Sequence, residues 1–431
     1  MTTGLVEQID SFGSLLQSLP EDPNNTKVRG DAFEQLCQWF LRIDPEYSRV
    51  LKTVWLWDEW PGRWGPEIGI DLVAETDDGK LWAIQAKGYD PESQVPIKEI
   101  GMFISGSGRS EFDYRLLISS ASISKNAEKL LDAQEKPSGY LLYPELEARP
   151  IDWRAYNEPS IKPLKEPRPV WPHQETAIND VLAGFENHDR GQLIMACGTG
   201  KTLAGLWIDE RMQNSSTLVF VPSLSLISQV SREWHANSSE PFHTLYVCSD
   251  KTVTDKTYDT FVSTEGRLGA RVRTDPEEIR KFLGRDGKKV VFSTYQSSEE
   301  IIKAQQGHNY RFDLVICDEA HHCAVASRKQ SPFTAVLDEQ QILADKRLFM
   351  TATPRTTAKW IRDKANQRDI QTSSMDDETQ FGPRFHTLTF GEAIIGDLLN
   401  DYRVVVMGVT ESETRQLVED RRLVELEDTD F

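Results

Sequence analysis

The chain has 431 residues, too many for one typical domain, so two or three are expected. Its apolar share is ordinary, no run approaches the length of a membrane helix, and the first residues lack the basic stretch of a secretory signal, which makes the cytosol the expected compartment. Five scattered cysteines (Cys37, Cys197, Cys248, Cys317, Cys323) form no CxxC pair and argue against a disulfide framework or zinc site; a net charge of −19 gives no support for nucleic-acid binding at the level of composition, although a local basic track would suffice.

In chain order, GDAFEQLCQWFL places Phe33, Leu36, Cys37, Phe40 and Leu41 on one helical face. GIDLVAETDDGKLWAIQAK, from Gly69 to Lys87, reads as two strands around an acidic turn. YRLLISSAS is a further strand, and SKNAEKLLDAQ is a helix that Ser124 would cap. NEPSIKPLKEPRPVWP holds five prolines in sixteen residues, which removes helix as an option and reads as a stiff linker between separately folded units. Beyond it, QLIMAC, STLVFVP, HTLYVCS, KKVVFSTY, FDLVICDEA and KRLFMTAT alternate with helical segments, the pattern of a parallel sheet covered on both faces. TDPEEIRKFL is a helix with Thr274 or Asp275 at its cap, and the tail QLVEDRRLVELEDTDF is highly charged. The expected divisions are therefore 1–155, a linker at 156–170, 171–385, and a further unit from 386 to 431; no internal repeat is present.

The turn of the hairpin decides which side chains meet. A two-residue loop at Asp78-Gly79 would turn Asp71 away from Gln85 and Lys87. A three-residue loop, Asp77-Asp78-Gly79, pairs Asp71 with Gln85, sets Lys87 on the diagonal and puts Gly79 where a positive φ is wanted, so this register is preferred. An acid and an amide oxygen can ligate Mg²⁺, and a nearby lysine can orient a water or neutralise charge on a phosphate. Glu34, at the edge of its helix's apolar face, could add a second carboxylate. The plainer alternatives are an exposed cross-strand ion pair for Asp71 and Lys87 and a solvated helix residue for Glu34.

MACGTGKT, from Met195 to Thr202, follows a strand and opens a helix. Such a turn offers backbone N–H groups to phosphate oxygens, with Lys201 reaching the β/γ-phosphates and Thr202 the Mg²⁺. The strict pattern wants glycine where Met195 stands. LVICDEAHH puts Asp318 and Glu319 at a strand's C-terminal end, the edge where ligands bind in open α/β sheets, Asp318 suiting the metal and Glu319 the attacking water. TATP closes a third strand at the same edge.

WPHQ, ACGTGKT, LVFVPSLSLISQ, DEAH and TAT, in this order over roughly residues 168–385, resemble the first RecA-like domain of superfamily 2 helicases and translocases. The resemblance implies that Gln174 reads adenine, that Gly198, Thr199, Gly200, Lys201 and Thr202 bind ATP, and that Asp318, Glu319 and His321 form the acidic motif, with His321 linked to Thr351 and Thr353. It implies strand contacts for Ser223 and Thr274, for which helix capping is an equal alternative. It also implies a second RecA-like domain that supplies an arginine finger, and FHTLTFGEAIIGDLLNDYRVVVMGV resembles its beginning.

The Asp71…Gln85-x-Lys87 arrangement, over roughly residues 28–145, resembles Mrr-like nucleases of the PD-(D/E)xK fold. Trp55, Trp57, Trp60 and Trp64 are not explained by that resemblance; they could stack on bases, but core and lid packing is the preferred reading. A nuclease followed by such a motor in one chain resembles Type ISP restriction enzymes. The expected fold is α/β, a restriction-endonuclease-like domain followed by a RecA-like P-loop domain. The expected activity is ATP-driven movement on double-stranded DNA with Mg²⁺-dependent cleavage; methyltransferase and target-recognition domains are expected downstream or as partner subunits. A motor subunit of a Type I-like or Type III-like system, a stand-alone defence helicase–nuclease, and an ATP-gated DNA-binding module with an inactive nuclease site remain the alternatives.

Overall fold

Phe33, Leu36, Cys37, Phe40 and Leu41 recur at helical spacing, and in the computed structural model all five are buried on one side of a helix from Lys27 to Ile43. The structure describes residues 9–22, 25, 27–66, 69–248, 275–308, 310–324, 326–327, 331–357 and 371–401. The charged tail and Thr274 lie outside them. The chain divides after Thr389; the following unit is described only to Asp401 and contains a helix at Phe390–Ile395.

The first sheet has the order β1-β2-β3-β4-β5, comprising Leu51–Leu56, Leu72–Thr76, Leu81–Lys87, Phe112–Ser119 and Ser138–Leu141. β1, β2 and β3 run antiparallel, whereas β3, β4 and β5 run parallel. Alternation along the strands sorts the core into two layers. Leu72, Ala74, Trp82 and Ile84 pack with residues of α1 (Phe12–Ser18) and α2 (Lys27–Ile43). Val73, Ala83 and Leu117 pack on the other face with residues of α3 (Ile97–Gly106) and α4 (Lys125–Asp132), which is capped by Ser124. A short α5, Tyr143–Glu147, follows β5. Trp57 and Trp60 belong to this second layer, and the Trp64 indole donates to Glu111 Oε1 at 2.7 Å beneath the Arg109 guanidinium, so these three tryptophans are packed within the domain.

The hairpin turn has three residues. Thr76 N–H bonds to Lys80 O, Gly79 N–H to Thr76 O, and Gly79 has φ +77°. Leu72 pairs with Ile84 and Ala74 with Trp82, the preferred register.

The second sheet is wholly parallel, with the order β14-β6-β12-β10-β7-β9-β8. The six expected strands are β6 (Arg190–Met195), β7 (Ser216–Val221), β8 (His243–Val247), β9 (Lys289–Thr294), β10 (Phe312–Cys317) and β12 (Ala344–Thr351). A small ribbon pairs β11 (Ala326–Ser327) with β13 (Gln371–Thr372). β14, Arg384–Leu388, was not foreseen; it falls across residue 385 in the stretch expected to begin the next unit, yet pairs with β6. A side chain at Gly184 or Gly191 would collide with the ring of Phe385, so these glycines form the slot that seats the strand. The helices are α6 (Pro172–Asn187), α7 (Lys201–Arg211), α8 (Leu224–Asn237), α9 (Pro276–Leu283, capped by Asp275) and α10 (Ser298–Gln305). Among the described residues no helix is long and apolar enough to cross a membrane.

The proline-rich segment forms no helix, but it is not a free tether. Asp152 N–H bonds to Pro163 O and Lys165 N–H to Pro150 O, stitching it to the first domain, while Arg168 N–H bonds to Asn237 on α8. The two sheets are also joined through a buried polar contact: Tyr246 O–H donates to Glu46 Oε1 at 2.6 Å, and Arg149 donates to Glu46 Oε2 at 2.8 Å. At the hairpin turn, Lys80 lies 3.5 Å from Glu278 and Asp78 lies 4.0 Å from Arg285 of the second domain. A cavity of about 870 Å³ opens at this joint, lined in part by Arg49, Lys80, His243 and Arg285, away from the two acid clusters described next.

Candidate functional sites

The first cluster lies at the open end of the hairpin. Asp71 N–H bonds to Ile84 O, although Ile84 already pairs with Leu72, so one extra residue enters the ladder and displaces the expected Asp71–Gln85 pairing. Such a bulge re-aims a side chain. The Asp71 carboxylate, 1% exposed, accepts the Ala86 N–H at 2.7 Å, and Lys87 Nζ stands 3.6 Å from the same Oδ2. Gln85, also buried, donates through Nε2 to Gly69 O at 3.2 Å, and its Oε1 has no hydrogen-bond partner among the described residues. Leaving a buried acceptor unmet costs about 1–3 kcal/mol, which suits an oxygen reserved for a ligand. Burial pushes the Cys37 thiol up, helped by the negative charges of Asp71 and Glu34, so both carboxylates lie within electrostatic reach of one α2 side chain. Among the described residues no group of three or more His, Cys, Asp or Glu is arranged to hold a metal ion; the hard oxygens here are Asp71 and the Gln85 amide, with half-buried Glu34 nearby.

Sequence reasoning missed Glu99. It lies in the first turn of α3, its Oε2 3.8 Å from Lys87 Nζ and its Oε1 accepting from Tyr89 O–H at 2.6 Å. Burial and that contact push the Tyr89 phenol up to about 12. The signal was present in VPIKEI: a helix following β3 must start at the edge where Lys87 ends the strand, so its first-turn acid comes to that edge.

The second cluster gathers at the C-terminal edge of the parallel sheet. Gly198 and Gly200 take left-handed φ values of +85° and +81°, which turn the chain from β6 into α7. Thr199 Oγ1 donates to Ala196 O at 2.7 Å, and Thr202 lies in the first turn of α7. Met195, where the strict pattern wants glycine, buries its side chain in the core beneath the loop. Lys201 Nζ lies 3.1 Å from Glu319 Oε1 and 3.7 Å from Asp318 Oδ1. β6 and β10 flank β12, so the phosphate loop, the acid pair and Thr351 end three adjacent strands.

The two acids differ. Burial raises the Asp318 carboxyl against the pull of Lys201, while the hydrogen bond from His321, then Lys201, outweighs burial and holds Glu319 down to about 2. Glu319 has φ +50°, an uncommon backbone state for a side chain of this size. His321 Nδ1 lies 3.3 Å from Glu319 Oε2 and 2.9 Å from Thr351 Oγ1, which also accepts the Thr353 N–H at 3.2 Å. Gln174 accepts the Trp171 N–H at 2.9 Å and donates to Thr199 O at 3.3 Å, so it touches the phosphate loop directly. His173, also missed in the sequence, donates from Nε2 to Thr199 O at 2.9 Å. Ser223 caps α8 by accepting the Leu226 N–H at 3.4 Å.

The profile of a family described as restriction endonuclease matches residues 42–161, and that of the family described as Type III restriction enzyme, res subunit, matches residues 168–356. No curated protein matches the chain. Among solved structures, the ATP-dependent Type ISP restriction-modification enzyme LlaBIII bound to DNA is similar over 96% of this chain and 27% of its own, with 31% identity and a TM-score of 0.75. A nuclease-deletion mutant of the Type ISP enzyme LlaGI in complex with a DNA substrate mimic is similar over 60% of this chain and 23% of its own, with 28% identity and a TM-score of 0.42. The chain thus spans about a quarter of the length of these relatives. It joins a Mrr-type restriction-endonuclease domain to a ResIII helicase-like domain of superfamily 2, the combination matched in Type ISP restriction-modification enzymes.

Proposed function

We propose that the chain carries the nuclease and the first motor domain of an ATP-dependent restriction enzyme that moves along double-stranded DNA and cleaves its phosphodiester bonds. Lys201 exchanges its carboxylate partners for the β/γ-phosphates of ATP, with the phosphate-loop amides around it. Glu319, held ionised, orients the attacking water, and the contact of His321 with both Glu319 and Thr351 transmits the nucleotide state to the strand end. Gln174 reads adenine from its place on α6 against the phosphate loop, and Ser223 and Thr274 are proposed strand contacts. At the nuclease site Lys87 orients water or neutralises charge on the scissile phosphate. The donor sets suit Mg²⁺, with Asp71 and Gln85, joined by Glu34, at the nuclease site and Thr202 and Asp318 at the motor; the cation would supply Lewis-acid stabilisation of charge on phosphate oxygens. A second RecA-like domain would add an arginine to the nucleotide cleft, and further domains or partner subunits would supply methyl transfer and target recognition.

The observation that carries the reading is the pairing, in one chain, of Asp71–Lys87 at one sheet edge with Lys201–Asp318–Glu319 at another. The similarity to LlaBIII, an ATP-dependent enzyme whose structure was solved bound to DNA, supports the same choice of substrate and fuel. The test is cleavage of double-stranded DNA by the complete enzyme with ATP and Mg²⁺, each then withheld. Cleavage that needs both supports the reading, and cleavage that proceeds at full rate without ATP sinks the motor's part in it.

A further inference from the structure

A nuclease site with glutamine at its middle position holds one negative charge fewer than one with glutamate there. Lys87 shows where a further charge enters. Its ammonium stands between two carboxylates, 3.6 Å from Asp71 Oδ2 and 3.8 Å from Glu99 Oε2. Glu99 is itself anchored, because its other oxygen accepts the Tyr89 O–H at 2.6 Å.

The segment Lys87-Gly88-Tyr89 is gripped from three sides. The end of β4 holds it, with Ser120 N–H and Ser119 Oγ bonding to Lys87 O at 3.1 and 3.2 Å and Ser120 Oγ bonding to Tyr89 O at 2.5 Å. Gly88 lies against Phe33 of α2, where any side chain would collide with the ring. α3 supplies Glu99. Only the long, flexible lysine side chain is left to be fixed, and two carboxylates at similar distance fix it better than one.

Resting on the nuclease reading above, we propose that Glu99 is a positioning residue for cleavage: with Tyr89 behind it, it brackets the Lys87 ammonium against Asp71 from the α3 side. Glu99 acts through Lys87.

The test uses the complete enzyme with Glu99→Gln, Tyr89→Phe and Asp71→Ala beside wild type. Single-turnover cleavage is measured across a Mg²⁺ titration, and Mn²⁺ affinity is measured by electron paramagnetic resonance without turnover. Glu99→Gln keeps size and the Tyr89 hydrogen bond but removes the ion pair. It is expected to lower the maximal cleavage rate about tenfold or more, with half-saturating Mg²⁺ and Mn²⁺ affinity within about twofold of wild type. Tyr89→Phe is expected to do the same to a smaller degree, and Mn²⁺ affinity close to wild type reports that the nuclease domain of each of these two variants is folded. Wild-type cleavage by Glu99→Gln overturns the proposal. So does a deficit that extra Mg²⁺ repairs together with a fall in Mn²⁺ affinity, because Glu99 would then be a ligand. Asp71→Ala separates the two levels: if it cleaves normally, the nuclease reading itself fails, whereas an inactive Asp71→Ala beside a normal Glu99→Gln removes only the role of Glu99.

Discussion

Tyr246→Phe removes one oxygen and keeps the ring that stacks on Phe292. That oxygen donates to Glu46 Oε1 at 2.6 Å, so the Ser231 hydroxyl 2.7 Å away must donate to it. All three residues are at most 4% exposed. Burial pushes the Glu46 carboxyl up, but Arg149, His235 and Tyr246 together bring it below its ordinary value, so it is charged at neutral pH and water cannot replace the lost donor. A hydrogen bond to a buried charged group contributes about 1.5–3 kcal/mol. At roughly 2–4 °C per kcal/mol for a body of some 150–250 residues, the melting temperature should fall by about 5 °C. The variant should also expose the proline-rich segment, because the contact is one of those that hold the two sheets together. Calorimetry gives the first quantity and limited proteolysis within residues 157–170 the second. An unchanged melting temperature with an unchanged proteolysis rate would mean that the domains are not docked through this contact in solution.

Three further outcomes are expected. Burial holds the His235 imidazole down to about 4 from its ordinary 6.5, with Glu46 opposing and Arg49 and Arg149 assisting, so the folded chain keeps it neutral while the unfolded chain takes up a proton. Its contribution is complete above about pH 6.5 and is lost as pH falls towards 4, about 3 kcal/mol in all; His235→Gln should flatten urea-measured stability over that window, and an unaltered slope would assign the acid sensitivity elsewhere. Glu319→Gln should reduce DNA-stimulated ATP hydrolysis by about 10²-fold or more while ATP binding persists, and wild-type turnover would remove the role given to that carboxylate. Gln85→Glu should keep cleavage and shift its Mg²⁺ requirement downward, whereas loss of cleavage at every Mg²⁺ concentration, with ATP hydrolysis preserved, would reject Gln85 as a ligand.

What the sequence disclosed was local. The Asp77-Asp78-Gly79 turn was legible because one loop length both sorts the side chains and puts glycine at the left-handed position. The α2 face and six strands of the second sheet followed from period and flanking signals. β14 was missed because Arg384, His386 and Thr387 interrupt any apolar run; its place depends on a slot made by Gly184 and Gly191, some 190 residues earlier. The bulge at Asp71 breaks the ideal register at the very residue whose partners the register was used to infer. Composition excluded helix from the proline-rich segment but could not show that it is stitched down, since its partners are backbone atoms of residues 150 and 152 and one asparagine on α8. The joint was illegible for the same reason: Glu46 and Tyr246 are 200 residues apart and carry no local signal.

The docked arrangement gives the hairpin two working ends. Its turn, through Asp78 and Lys80, contacts the helicase-like domain, and its open end, through Asp71, Gln85 and Lys87, carries the proposed cleavage cluster. A strand of five residues separates them by roughly 17 Å. The two clusters share no side chain, and a substitution at the open end should leave ATP hydrolysis untouched.

Side-by-side measurement of DNA cleavage and DNA-stimulated ATP hydrolysis in the complete enzyme carrying Asp71→Ala tests this division most directly. Cleavage should disappear while ATP hydrolysis stays within about twofold of wild type, because the contacts of Asp71 with Ala86 and Lys87 lie at the end of the first sheet away from the motor. Persistent cleavage, or loss of ATP hydrolysis together with cleavage, would contradict the assignment of two chemistries to two separate sites.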